Sequence, residues 1–179
     1  MRLGAALGRP FAAALADPGA RGRLADSGHL EMQEWLLRVA RRFGWIRRLE
    51  VATRSRDPRY SIDVLLLVGS RLILVECWNT LRDFGAAIRS THRKLDETEE
   101  LRIAVGGTSV HACWLVRPTA ANRELVHRYP EAIRTAFPES ARWVRVFERG
   151  DLPPDGLDFV WLDPSVGVHA LRIRGGERA

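Results

Sequence analysis

Hydrophobic and polar positions alternate with two different periods along this chain, and these periods predict both helices and strands. In some segments apolar residues recur every three to four positions, which is the spacing of one helical face. Elsewhere they form short extended runs bounded by glycine, proline or polar residues, as strands do. We predict helices over 30–43 and 82–101, and a further helical region that begins at Thr119, is interrupted at Pro130 and ends at Pro138. We predict strands over 46–54, 60–68, 71–78, 110–116 and 142–147, and a final hairpin of 157–162 with 166–173.

The order of these elements predicts an α/β fold. The segment at 110–116 is apolar throughout, as expected of a strand that is buried on both faces of a sheet. A strand, a helix and a second strand in one sheet imply a parallel, right-handed connection, so we expect 71–78 and 110–116 to run in the same direction. The sequence therefore predicts a mixed central sheet flanked by helices, with residues 27–179 as a single domain.

A separate helical segment precedes this domain. Leu3, Leu7, Phe11 and Leu15 are spaced along one helical face, and the pattern ends near residues 17–19. This short piece resembles the last helix of helix-turn-helix regulators of the xenobiotic-response type. The resemblance implies that residues 1–26 are a remnant of an upstream helix-turn-helix module.

Two acidic residues lie in the otherwise apolar strands before and after Gly69 and Ser70. Two connecting residues that begin with glycine favour a tight hairpin turn. Counting back from such a turn places Asp63 directly opposite Glu76, with both side chains on the same face of the sheet. Opposed Cβ atoms lie about 4.5 to 5.5 Å apart, and like charges at that separation repel each other. Because aspartate is also a poor strand former, this pair needs an explanation.

Two interpretations of the pair are open. A hard divalent cation such as Mg²⁺ binds one or two carboxylates together with water and phosphate oxygens, which is the ligand set that this face could offer with a nucleic acid. Alternatively, each acid forms a salt bridge with an arginine, for which the candidates are Arg54, Arg59 and Arg89.

Positive charge is concentrated in one part of the chain. The whole sequence has 28 basic and 22 acidic residues and a formal net charge of +6. Residues 38–59 alone contain eight arginines and two acidic residues, so the rest of the chain is neutral on balance. This stretch, which includes Arg48 and Arg54, suits a nucleic-acid phosphate backbone, although a solvated arginine-rich surface without a partner has the same composition. Lysine occurs once, at Lys94.

Several other classes of protein are poor matches to the composition. The longest apolar runs, 64–68 and 72–75, are far shorter than the roughly 18 residues that a membrane span needs, so no membrane partner is expected. Cys77 and Cys113 are too few for a disulfide framework or a four-ligand zinc site, and we expect a cytoplasmic location. The five histidines are scattered without ligand spacing, so histidine catalysis is not expected.

The central strands resemble the core of a known nuclease superfamily. The second strand carries Ile62 and Asp63, and the third carries Val75, Glu76, Cys77 and Trp78. With the order helix, three strands, helix and strand over 30–116, they are similar to the α-β-β-β-α-β core of the PD-(D/E)XK, or restriction-endonuclease-like, superfamily. This chain would add a C-terminal β-hairpin. The resemblance implies a magnesium-dependent phosphodiester hydrolase that acts on DNA, with Asp63 and Glu76 as the metal ligands.

One position departs from the motif of that superfamily. Its lysine belongs two residues after the glutamate, where this chain has Trp78, which cannot supply a positive charge. Other members recruit the basic residue from a neighbouring element, and Lys94 lies on the following helix, where it could snorkel toward the site or lie in water. With Lys94 in place, the resemblance implies an active nuclease. Without it, the resemblance implies a catalytically inactive nuclease-fold module that binds DNA or regulates transcription.

Further candidates lie on the two predicted helices around these strands. Arg89 and Arg93, at i and i+4, fall where some recombination-type nucleases of this superfamily carry a Gln-x-x-x-Tyr motif. They could hold phosphate in a bidentate manner, or they form an exposed helix face. The first helix of the superfamily sometimes adds an acid to the site. Glu31, Gln33 and Glu34 are eligible by spacing, and Gln33 lies nearest the inward flank of the helix.

Overall fold

The computed structural model describes residues 27–53 and 61–172 of the chain. The helices are α1 (Ser27–Arg42), α2 (Phe84–Glu97), α3 (Glu99–Ala104), α4 (Ala120–Arg128), α5 (Pro130–Ala136) and α6 (Ser140–Arg149). The strands are β1 (Ile46–Ala52), β2 (Ser61–Val68), β3 (Arg71–Trp78), β4 (Ser109–Val116), β5 (Leu157–Asp163) and β6 (Gly167–Ala170). These elements confirm the predicted α/β class.

The strands form a six-stranded mixed sheet in the order β1-β2-β3-β4-β5-β6. Neighbours are antiparallel from β1 to β3, parallel from β3 to β5, and antiparallel again between β5 and β6. The parallel connection from β3 to β4 and the final hairpin are therefore confirmed. Between β2 and β3 the pairing runs from Val68 opposite Arg71 to Val64 opposite Val75, as a two-residue turn predicts. Gly69 adopts the positive φ of 59° that such a turn requires.

Helices cover both faces of the sheet. On one face, α1 and α6 pack against the strands and bury, among others, Met32, Leu36, Trp143 and Phe147. On the other face, α2, α4 and α5 surround an aromatic cluster that includes Trp114. The predicted start of α4 is confirmed, since the Thr119 hydroxyl accepts a hydrogen bond from the backbone N–H of Asn122. Asp63 lies near the start of β2 and Glu76 near the end of β3, with α1 on one side of them and α2 on the other.

Two predicted elements are corrected by the structure. Residues 142–147, predicted as a strand, form the centre of helix α6, because Trp143, Val146 and Phe147 are buried at the helical spacing i, i+3 and i+4. The predicted helix over 82–101 is divided at Thr98 into α2 and α3. The Thr98 hydroxyl donates to the backbone carbonyl of Lys94, which satisfies that carbonyl at the end of α2.

Some predictions concern residues outside the described ranges. These are the helical segment within 1–26, the outer ends of the strands predicted at 46–54 and 60–68, Ile173, Arg54 and Arg59. Among the helices of 27–53 and 61–172, none is long and apolar enough to cross a membrane.

Candidate functional site

A buried ion pair joins strand β3 to helix α2. The Lys94 ammonium donates to both carboxylate oxygens of Glu76, at 2.7 Å to Oε1 and 2.6 Å to Oε2. The side chains are only 10% and 6% exposed, respectively. Lys94 therefore lies against Glu76 rather than in water. Glu76 pairs with Lys94 and not with the arginine that the salt-bridge interpretation anticipated.

Asp63 lies at the point where the pairing of β2 with β3 ends. Regular pairing stops at Val64 and Val75, one step before Asp63 and Glu76. Beyond it, Asp63 Oδ2 accepts a hydrogen bond of 2.7 Å from the backbone N–H of Cys77. The carboxylate thus takes the place of a backbone carbonyl in the ladder, and this contact fixes its orientation.

The side chains around Asp63 depart from the predicted alternation of faces. Glu76 faces α2, as expected, but Asp63 Oδ2 lies 3.9 Å from Nε2 of His29 on α1, which covers the opposite face. Ile62, expected on the face of Val64, packs instead with Leu65 in the cluster on the α2 side. The two carboxylates therefore have different partners on the two sides of the strand ends, instead of lying side by side on one face.

Glu50 of β1 is a third acid in this region, and the sequence did not identify it. The β1–β2 register pairs Leu49 with Val64 and Val51 with Ile62, so Glu50 is aligned with Asp63. Glu50 adopts a positive φ of 47°, a left-handed conformation that is unfavourable for residues with a side chain.

Helix α1 holds the Glu50 carboxylate in place. Gln33 Nε2 donates to Glu50 Oε1 at 2.8 Å, and Ser61 Oγ donates to Glu50 Oε2 at 3.2 Å. Gln33 is buried, as its position on the inward flank predicted, whereas Glu31 and Glu34 are exposed. The first helix therefore contributes an amide that orients an acid rather than an acid of its own.

His29, Glu50 and Asp63 together form a cluster of potential metal ligands, called the His29 cluster below. Each residue offers one ligand atom, and these atoms lie within 4.8 Å of one another. His29 Nδ1 is 3.0 Å from the backbone carbonyl of Cys77. Because a carbonyl oxygen only accepts, Nδ1 carries a proton, and Nε2 is the ring nitrogen that faces Asp63. Nε2 is therefore the nitrogen available to a metal ion, and a backbone carbonyl on the other ring nitrogen is a common feature of metal sites.

Burial and mutual repulsion shift the acids of this region toward their protonated forms. Burial raises the pKa of Asp63, against the opposing effects of His29 and the Cys77 amide. Burial and the neighbouring Asp63 carboxylate raise the pKa of Glu76 to about 8, while Lys94 acts in the opposite direction. Both carboxyl groups therefore hold a proton more readily than a free carboxyl group does, and a cation that binds them has to compete with that proton.

The remaining candidates have other surroundings. Trp78 packs in the aromatic cluster, with its ring centroid 5.6 Å from that of Trp114. Arg93 lies 3.9 Å from Glu97 in an ion pair on its own helix, and Arg89 is exposed on the same helix. Arg48 lies on β1, two residues before Glu50. Trp78 thus has a packing role in the fold and does not contribute a charge to the site.

Comparisons of the chain with protein-family models, with curated proteins and with solved structures found no match in any of the three.

Proposed function

We propose that this chain is a divalent-metal-dependent phosphodiester hydrolase of the PD-(D/E)XK type that acts on nucleic acid. The observation that carries this proposal is the convergence of His29, Glu50 and Asp63, whose ligand atoms lie within 4.8 Å of one another. The two carboxylates suit Mg²⁺ or Mn²⁺, and the imidazole nitrogen adds a ligand that first-row transition metals accept more readily than Mg²⁺ does. The Asp63 position agrees with the resemblance, whereas His29 and Glu50 take the place that it gave to Glu76.

The donor set fits such an ion in its chemistry. A bound divalent ion supplies positive charge that activates water and offsets the charge developing on the phosphate. The chain itself orients the ligands: the Cys77 carbonyl fixes the His29 tautomer, the Cys77 amide holds Asp63, and Gln33 holds Glu50. Glu76 holds the Lys94 ammonium near enough to Asp63 to lower the pKa of that carboxyl group, and a positive charge at this distance would favour phosphate at the cluster.

A cleavage assay tests the proposal. Supercoiled plasmid and single-stranded DNA are incubated with the purified protein and Mg²⁺ or Mn²⁺, alongside Asp63→Asn and the control Asp151→Asn. Asp151 is half-exposed and lies 3.6 Å from Arg145 in a surface ion pair, so its substitution removes the same charge away from the site. We expect wild type and Asp151→Asn to cut and Asp63→Asn to lose at least 100-fold in rate. Equal nicking by all three proteins would show that a contaminant cuts and that this site does not.

One observation favours a second function, that of a metal-independent nucleic-acid-binding module. Lys94 donates hydrogen bonds to both oxygens of Glu76. The carboxylate that the resemblance assigns to a metal ion is therefore already bonded to an ammonium group. Calorimetric titration with Mn²⁺ separates the two functions. A heat of binding that disappears in Asp63→Asn supports the hydrolase, whereas absence of heat in wild type supports the binding module.

A further inference from the structure

Eighteen arginines lie among the described residues, and eight of them are within 4.0 Å of a carboxylate on a nearby element or on their own helix. The other ten have no carboxylate partner among the described residues. Five of these ten are spread over the fold: Arg82, Arg89, Arg123, Arg149 and Arg172. The remaining five, called the arginine track below, lie together at the end of α1 and the start of β1: Arg38, Arg41, Arg42, Arg47 and Arg48.

The difference is not a consequence of helix exposure alone. On the helices α3 and α4, Glu99 pairs with Arg102 and Glu124 pairs with Arg128, each across one turn. Helix α1 offers the same opportunity, since Glu34 precedes Arg38 by four residues, but no ion pair joins these two side chains in the described structure. The track therefore presents guanidinium groups whose charge the described part of the protein does not neutralise.

The arginine track leads away from the His29 cluster. Helix α1 runs from His29 toward Arg42, and β1 returns from Ile46 to Glu50. With a rise of about 3.3 Å per strand residue, Arg48 is about 7 Å along β1 from Glu50. With a rise of about 1.5 Å per helical residue, Arg38 and Arg42 are about 14 and 20 Å along α1 from His29. These separations correspond to about two to six nucleotides of a duplex strand, at 3.4 Å each.

We infer that the arginine track binds the phosphate backbone of a nucleic acid on one side of the His29 cluster. The location of that strand relative to a scissile phosphate rests on the proposed function. Guanidinium groups bind phosphate oxygens in a bidentate manner, and arginines without acidic partners can do so without first breaking an ion pair. Arg47 and Arg48 project from opposite faces of the edge strand β1, so the charges follow the edge of the sheet, and this arrangement fits a polyphosphate chain better than it fits a flat anionic lipid surface.

Binding measured without cleavage tests this inference. Fluorescence anisotropy of labelled 20-nucleotide single-stranded and duplex DNA is recorded in EDTA at several salt concentrations. The track variant is Arg38→Gln/Arg41→Gln/Arg47→Gln. The matched control, Arg128→Gln/Arg134→Gln/Arg142→Gln, removes the same charge from exposed arginines that pair with a glutamate on or next to their own helix. Thermal melting of both variants shows whether each is folded.

We expect the track variant to bind DNA at least about tenfold more weakly than wild type at 0.1 M salt. The slope of the logarithm of its affinity against the logarithm of the salt concentration should be smaller in magnitude by about two to three. The control should keep most of the affinity and slope. If both variants weaken binding equally, the track is not the binding surface, and the inference is wrong. Loss of binding to vesicles that contain phosphatidylserine, with DNA binding unchanged, would assign the track to a membrane instead and would also overturn it.

The outcome is separable from that of the proposed function. The binding measurement is made in EDTA, where no divalent ion supports cleavage, so it does not depend on the hydrolase activity. If wild type does not cut DNA but the track variant loses DNA binding, the track is a binding surface and the hydrolase proposal is wrong. If wild type cuts DNA and the track variant binds DNA like the control, the hydrolase proposal stands and the track is not the binding surface.

Discussion

The ammonium of Lys94 bonds both oxygens of Glu76 across 18 residues of sequence, from helix α2 to strand β3. This contact explains how a strand with Trp78 at the expected position of a lysine still has a cation beside its glutamate. The pair is nearly excluded from water, so each charge depends on the other. Its energetic weight can be measured by removing one partner or both.

Lys94→Met should lower the free energy of unfolding by about 1 to 3 kcal/mol near neutral pH, because the change leaves the buried Glu76 carboxyl group without its hydrogen-bond donor. The pKa of Glu76 is already raised to about 8, and loss of Lys94 raises it further, so the folded variant keeps a proton on Glu76. The destabilisation should therefore increase as the pH rises through 8, where wild type has an intact pair. Urea unfolding at pH 6 and pH 9 measures both effects.

The double variant Lys94→Met/Glu76→Met is the control for the single one. Because two apolar side chains of similar volume need no charge partner, the double variant should be more stable than Lys94→Met alone. A double variant that is less stable than Lys94→Met by the full cost of Glu76→Met would show that the two side chains do not interact.

The hairpin that carries Asp63 and Glu76 could be predicted because a local signal sets it. Gly69 and Ser70 determine the turn, and the turn determines the register as far as Val64 and Val75. Residues 142–147 could not be assigned in this way, since their apolar positions fit a short strand as well as a helix. The position beside β4 is occupied by β5, which is a long-range pairing. The local signal for α6 was Gly150, which ends the helix with a φ of 78°.

The residues of the candidate site differ in the same way, according to whether local geometry or tertiary packing places them. The hairpin pattern identified Asp63 and Glu76 as candidates but not their relative placement, because the regular pairing ends one step before them. Lys94 was identified as the sole lysine of the sequence, on the next helix. Glu50 and His29 were not predicted, because the link over 54–60 leaves the β1–β2 register undetermined from sequence. The position of His29 depends on the packing of α1 against the sheet. Residues placed by local geometry could be identified, and those placed by tertiary packing could not.

Metal affinity should depend on all three members of the His29 cluster. His29→Gln and Glu50→Gln should each weaken Mn²⁺ binding at least tenfold, because each removes one of the convergent ligand atoms. Glu34→Gln, an exposed position on the same helix as His29, should leave the affinity unchanged. Since burial raises the pKa of Asp63, the ion competes with a proton there, and affinity should rise with pH. Calorimetry at pH 6 and pH 8 measures both trends, and variants that bind Mn²⁺ like wild type would contradict the cluster.

His111 should make stability depend on pH at the other end of the sheet. Its side chain is buried, Nε2 lies 2.6 Å from Ser109 Oγ, and Nδ1 has no hydrogen-bond partner among the described residues. Burial lowers the pKa of His111 below 6.5. The charge of Asp155 opposes this shift, whereas the charge of Arg71 adds to it. The folded state therefore resists protonation more than the unfolded state does.

A lowered folded pKa means that stability is fully present above pH 6.5 and is lost as the pH falls through the folded value. The slope from this one group is at most about 1.4 kcal/mol per pH unit. Urea unfolding between pH 5 and pH 7.5 should show this loss in wild type and a smaller loss in His111→Gln. His127→Gln, at an exposed position, serves as the control and should keep the wild-type slope.

The backbone of Glu50 should lower the stability of the fold, although its carboxylate should be needed for metal binding. Its φ of 47° is strained for any residue with a Cβ, and glycine relieves that strain. Glu50→Gly and Glu50→Ala both remove the carboxylate and its bonds to Gln33 and Ser61, so the difference between them isolates the backbone. We expect Glu50→Gly to be the more stable by about 1 kcal/mol, whereas Ala52→Gly on the same strand should lose about 0.5 to 1 kcal/mol. Both Glu50 variants should bind Mn²⁺ more weakly than wild type. Chemical denaturation of wild type, the two Glu50 variants and Ala52→Gly measures these differences in stability. If Glu50→Ala is more stable than Glu50→Gly, the backbone at position 50 is not held in the left-handed conformation.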